Sequence, residues 1–140
     1  MNSILGIDFG LARIGLAISD ELQLLAHPLQ TIATNKTSLV KIAEIVRERN
    51  VDKVVVGIPR HMSGEVGESA KAALDFAAKL RSQLSCAVET WDERLTTVAA
   101  ERALREAGKK TRSTRHVIDQ IAAQMILQAY LDRERNAAAS

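Results

Sequence analysis

The run Lys53 to Ile58, KVVVGI, constrains this chain's fold more than any other stretch. It is apolar, rich in β-branched residues and without alternation, which is the pattern of a strand covered on both faces, and Pro59 ends it. A strand buried on both faces requires helices above and below its sheet.

The rest of the chain offers such helices. From Lys36, Leu39, Ile42, Ala43 and Val46 share one face opposite Lys41, Glu44, Arg47 and Glu48. Val66, Ala70, Ala73, Leu74, Ala77, Leu80 and Leu84 recur at helical spacing through a second helix. A third, capped by Thr96 or Thr97, passes through Ala99, Ala103 and Leu104 and stops near Gly108. The last, from about Thr114 to Leu131, is apolar almost all round and should be largely buried.

The first third reads as strands: Ser3 to Asp8, Arg13 to Ser19, and Leu29 to Ala33, with turns at Gly10 and Asp20 to Gln23. Connections this short cannot hold crossover helices, so these strands form an antiparallel meander. Lys53 to Ile58 and a fifth strand, Cys86 to Trp91, arrive through helical crossovers. The expected class is α/β, a mixed five-stranded sheet of an antiparallel meander plus two parallel strands, with about four helices. Residues 1–134 form one domain and 135–140 a frayed tail.

Composition narrows the function. Four aromatic residues, Phe9, Phe76, Trp91 and Tyr130, are too few for nucleic-acid binding by stacking alone. A net charge of +2 says little about partners, so charge distribution must decide. The single cysteine, Cys86, excludes an internal disulfide and reads as a buried reduced thiol. No signal-like N-terminus or membrane-length apolar run is present, and a cytoplasmic location without membrane contact is the expectation.

Three apolar elements end in acid. Asp8 closes the first strand, Asp92 and Glu93 close the fifth, and Asp119 lies among Val117, Ile118, Ile121 and Ala122 near the start of the last helix. Each has a local explanation: a turn before glycine for Asp8, and a helix N-terminus for the others. Their joint occurrence at element ends instead suggests an oxygen-only site for Mg²⁺ or Mn²⁺. Two such ions, about 3.5 to 4 Å apart, suit phosphodiester hydrolysis. Strand alternation turns only one of Asp92 and Glu93 inward, and either could be the ligand. His27, His61 and His116 lack metal-ligand spacing and read as loop residues. The basic linker KKTRSTR, with Lys109, Lys110, Arg112 and Arg115, precedes the helix carrying Asp119 and could hold phosphate. Arg13 and Arg60 flank strand ends and are further phosphate candidates.

Four segments in order, GIDFGLARIGLAISD (Gly6 to Asp20), VVVGIPRHMSGEVG (Val54 to Gly67), DERLTT (Asp92 to Thr97) and IDQIAAQMILQAYLD (Ile118 to Asp132), carry a family resemblance over nearly the whole chain. The chain resembles the YqgF/RuvX family of Holliday-junction resolvase-like proteins, whose members carry the name of pre-16S rRNA nucleases. The resemblance implies a ribonuclease H-like fold, a divalent-metal endonuclease and a role at the 5′ end of small-subunit rRNA precursor during ribosome assembly, with DNA junction cleavage as the older inference. It implies that Asp8, Glu93 and Asp119 are the catalytic metal ligands and that Arg94 orients Glu93 or contacts phosphate. Better-known resolvases carry their second acid on the strand equivalent to Lys53 to Ile58, which here ends in Gly57, Ile58 and Pro59, so Glu93 must substitute from a neighbouring strand.

Two other readings compete. The Asp8 to Gly10 turn also resembles the phosphate-binding turn of actin-like ATPases and sugar kinases, but those bind nucleotide between two such domains. A non-catalytic RNA-binding assembly factor is the other, although three acids would repel phosphate without a cation. The protein is expected to act as a monomer or, on a symmetric junction, a homodimer.

Overall fold

A computed structural model describes residues 2–59, 67–95 and 112–139. Five strands, β1 (Ser3–Phe9), β2 (Arg13–Ser19), β3 (Ala26–Ala33), β4 (Val51–Ile58) and β5 (Ala87–Asp92), form one sheet in the order β3-β2-β1-β4-β5. The first three pair antiparallel, and β4 and β5 extend the sheet in parallel from β1. Helices α1 (Ser38–Glu48) and α2 (Glu68–Gln83) make the crossovers, and α3 (Arg112–Ala139) follows a short 3₁₀ turn at Glu93–Leu95. The mixed sheet and its meander match the sequence expectation. The expected helix between Thr96 and Gly108 lies outside the described residues, as do Arg60, His61, Lys109 and Lys110.

The sheet is covered on both faces, as KVVVGI requires. Leu5, Ile7, Ile14, Leu16, Val54, Val56 and Ile58 point to α1 and α2, where Ile42, Phe76 and Leu80 complete one core. Ile4, Ala17, Val55 and Trp91 point the other way, to Ala123, Ile126, Leu127 and Tyr130 of α3. Burial of this aliphatic surface is the main source of stability.

Helix α3 is less uniformly apolar in its packing than its composition suggests. Its Gln120, Gln124 and Gln128 recur every fourth residue and clip the edge of the sheet. Gln124 Nε2 donates to the Ala26 carbonyl at 2.9 Å, and Gln128 Oε1 accepts from the Ala26 N–H at 2.8 Å. Gln120 Nε2 donates to Thr31 Oγ1 at 3.3 Å. These bonds tie down the start of β3, which begins at Ala26 and not at Leu29, and place His27 on an exposed strand position instead of in a loop. The helix begins at Arg112, so Arg112 and Arg115 belong to its first turns and not to a linker. It remains helical to Ala139, and its turns beyond Asp132 face solvent. Cys86 is half-buried against the first core, and burial pushes its thiol pKa up. Among the described residues, no helix is long and apolar enough to cross a membrane.

Candidate metal centre

Asp8 occupies the middle of a row of three residues across the sheet. It pairs with Gly15 on β2 and with Gly57 on β4. Residues directly opposite one another share a face, and this row lies on the α3 face with Ile4 and Val55. Neighbouring strands are about 4.8 Å apart, so Asp8 stands between two strips of bare backbone.

Those strips are filled by the other two acids. A β-carbon on Gly57 would lie 3.0 Å from Glu93 Oε2 and 2.5 Å from Ile126 Cδ1. A β-carbon on Gly15 would lie 2.1 Å from the Asp119 carbonyl oxygen and 3.0 Å from Asp119 Cβ. Thus Glu93 lies over one glycine and Asp119 over the other, on either side of Asp8. All three acids are buried, with exposures of 5% for Asp8, 4% for Glu93 and 7% for Asp119.

Asp92 and Glu93 take different places. Asp92 pairs with Ile58, which faces the α1/α2 core, whereas Trp91 pairs with Gly57 and faces α3. The chain turns into its 3₁₀ segment at Glu93 and brings that carboxylate back over Gly57. Asp92 holds Arg94 instead: Nη2 donates to Oδ2 at 2.6 Å, Nε reaches both carboxylate oxygens, and the Arg94 N–H donates to Oδ1 at 2.9 Å. This partner pushes the Arg94 pKa further up.

Arg13, a phosphate candidate by sequence, points into the site. Its Nε donates to Asp119 Oδ2 at 2.6 Å, with the arginine side chain 30% and the aspartate side chain 10% exposed. Among the described residues, no three His, Cys, Asp or Glu side chains stand close enough as they are to enclose an ion. The donor chemistry of Asp8, Glu93 and Asp119 nevertheless fits a hard, oxygen-seeking cation, since all three donors are carboxylates.

Three features of this face escape the sequence reading. Gly15 and Gly57 act as spacers, and an isolated glycine inside a strand was the available sign of close approach. The third is a polar bridge farther along α3: Lys53 Nζ donates to Tyr130 Oη at 2.7 Å and lies 3.2 Å from Glu89 Oε2, and Tyr130 Oη donates to that same carboxylate oxygen. The Tyr130 hydroxyl holds the Glu89 carboxyl below its ordinary range, and the same hydroxyl leads the effects that push Lys53 up. Burial pushes Tyr130 itself up.

The arrangement of sheet and helices is shared with solved structures. Thermus thermophilus RuvC in complex with Holliday junction substrate superimposes with a TM-score of 0.58 at 14% identity, covering 96% of this chain and 97% of that one. The Fowlpox virus resolvase, in complex with Holliday junction DNA, gives 0.51 at 10% identity, covering 94% and 98%. The fold is therefore the ribonuclease H-like α/β fold of the junction resolvases.

Family follows from sequence. The family model for RuvX, described as Holliday junction resolvase, matches residues 2–133, and the chain belongs to that family. A Chloroflexus aggregans relative is 48% identical over 136 residues, covering 96% of each chain. One from Geobacillus kaustophilus is 47% identical over 135 residues, covering 94% of this chain and 98% of its own. Both carry the name "Putative pre-16S rRNA nuclease". Membership places the chain among nucleases.

Proposed function

We propose that this chain is a cytoplasmic, divalent-metal-dependent endonuclease that hydrolyses phosphodiester bonds in structured nucleic acid, acting at the 5′ end of the small-subunit rRNA precursor. The observation that carries this reading is the row Gly15–Asp8–Gly57, with Asp119 over one glycine and Glu93 over the other. Three acids buried on one face, supplied by three separate elements, make the oxygen-only donor set that a hard divalent cation takes.

Asp8, Glu93 and Asp119 would hold Mg²⁺ or Mn²⁺, as a pair of ions. When bound, the metal supplies an activated water and charge stabilisation for the phosphodiester. The chain's own residues position these groups. The two glycines leave the space that Glu93 and Asp119 occupy on either side of Asp8, with Ile126 of α3 also lying over Gly57. Asp92 orients Arg94 at the rim of the Glu93 turn, where its guanidinium can meet a phosphate. Arg112 and Arg115 add positive charge to the chain just ahead of Asp119.

The relatives' names favour an RNA substrate; the family's description favours a four-way DNA junction, which a homodimer would cut symmetrically. Both substrates are to be offered with Mg²⁺, Mn²⁺ or chelator to the wild type and to Asp8→Asn. Metal-dependent cutting of the rRNA precursor, lost in the variant, supports the proposal. Preferential cutting of the junction moves the substrate to DNA. A folded wild type that binds RNA equally well in chelator and cuts neither is an assembly factor.

A further inference from the structure

We infer that Arg13 is a latch on Asp119 that a divalent metal ion must displace, so that metal loading and release of the Arg13 guanidinium are one event. The inference rests on the reading of Asp119 as a metal ligand. Its geometric basis is the 2.6 Å bond from Arg13 Nε to Asp119 Oδ2, which occupies a carboxylate oxygen in a side chain only 10% exposed.

Arg13 is built for this position. It lies two residues before Gly15 on β2, and side chains two apart point to the same face of a strand. Gly15 brings the Asp119 backbone against the sheet, and Arg13, next along that face, meets its carboxylate. A buried carboxylate without a positive partner is costly. Arginine supplies that partner permanently, because its guanidinium does not deprotonate in proteins.

A guanidinium and a divalent cation cannot both take the same oxygen lone pair at full strength. Metal binding through Oδ2 therefore works against the Arg13 bond, and the affinity is lower than the carboxylates alone would give. Arg13 is a positioning residue in this scheme: its bond to Oδ2 holds the Asp119 carboxylate in place before the metal arrives. Once displaced, it is a cation at the mouth of the site, its side chain already 30% exposed, where a phosphate is the available anion.

A merely structural arginine and a latch predict opposite signs. Removing a structural support loosens the site and weakens metal binding, whereas removing a competitor strengthens it. Mn²⁺ binding to the full chain is measured by calorimetry without nucleic acid, at a pH above 7, for wild type, Arg13→Gln, Arg13→Lys and Asp119→Asn. The glutamine keeps much of the side chain's length and removes its charge, and circular dichroism checks that it folds. Arg13→Gln is expected to bind Mn²⁺ about tenfold more tightly, matching the loss of one charge-assisted hydrogen bond. Arg13→Lys should stay near wild type, because a cation remains, and Asp119→Asn should bind at least about tenfold more weakly. Unchanged or weaker binding by a folded Arg13→Gln, with Asp119→Asn impaired, overturns the latch and leaves the metal site standing. Asp119→Asn binding like wild type overturns the metal reading itself, and the latch with it.

Discussion

Glu93 reaches across from the end of β5 to lie over Gly57 of β4, its Oε2 only 3.0 Å from where a β-carbon on that glycine would be. A side chain on this strand position would collide with the Glu93 carboxylate, and glycine leaves the room it occupies. Gly57→Ala should push Glu93 and Ile126 aside. We expect a stability loss of about 1 to 3 kcal/mol, typical of overpacking, together with a larger proportional loss of metal affinity. Urea denaturation and Mn²⁺ titration of the same preparation measure the two; unchanged Mn²⁺ affinity would remove Gly57 from the site.

Gly15→Ala should be the harsher substitution. Its new methyl meets the Asp119 carbonyl oxygen at 2.1 Å, and a backbone atom cannot rotate out of the way. Relief requires α3 to move off β2, which disturbs the packing of Ala17 and Ala123 as well. We expect a melting temperature lower than that of Gly57→Ala by several degrees, in line with about 1 kcal/mol more destabilisation. Differential scanning calorimetry of both variants decides the order.

Asp92 and Glu93 should separate by function. Glu93→Gln removes the carboxylate from the Gly57 pocket, and we expect nucleic-acid cleavage to fall by at least about a hundredfold. Asp92→Asn loosens Arg94 on the rim, and we expect a loss of about tenfold or less. Equal losses in initial-rate assays would show that the pair acts as a unit.

The Lys53–Tyr130–Glu89 bridge makes stability respond to pH at both ends. The depressed Glu89 carboxyl contributes stability above its ordinary value of 4.5, which is lost as pH falls through its lowered folded value. Lys53 and Tyr130 are raised, so their contribution is full below about pH 10 and is lost as pH rises through their folded values. The bridge is partly solvent-exposed, and the effect should stay below about 1 kcal/mol. Denaturant midpoints from pH 3 upward should fall less steeply with acid in Glu89→Gln than in wild type. A parallel acid limb would assign that pH dependence to other carboxylates.

The strands and their pairing were legible because apolar runs and short turns leave few topologies. What the chain hid was which face holds the site. On β5, Val88 and Trp91 are both buried yet face opposite cores, so alternation alone could not turn Glu93 inward rather than Asp92. The polar stretch around His27, Pro28 and Gln30 concealed the start of β3, which is stabilised by glutamines about a hundred residues downstream. Arg13 read as a free cation because its partner Asp119 is equally distant along the chain. The place of Asp8 near the end of a buried apolar strand was legible, because that pattern is local in the sequence.

The site's construction also sets when it can exist. Asp8 is synthesised early, Glu93 well after it, and Asp119 only on the helix that follows both. A nascent chain exposing the first two acids still lacks the third, and α3 must dock on the sheet before Asp119 reaches its place over Gly15. The acid row is therefore completed only once α3 has been made and docked, so a shorter nascent chain lacks the full set of proposed metal ligands.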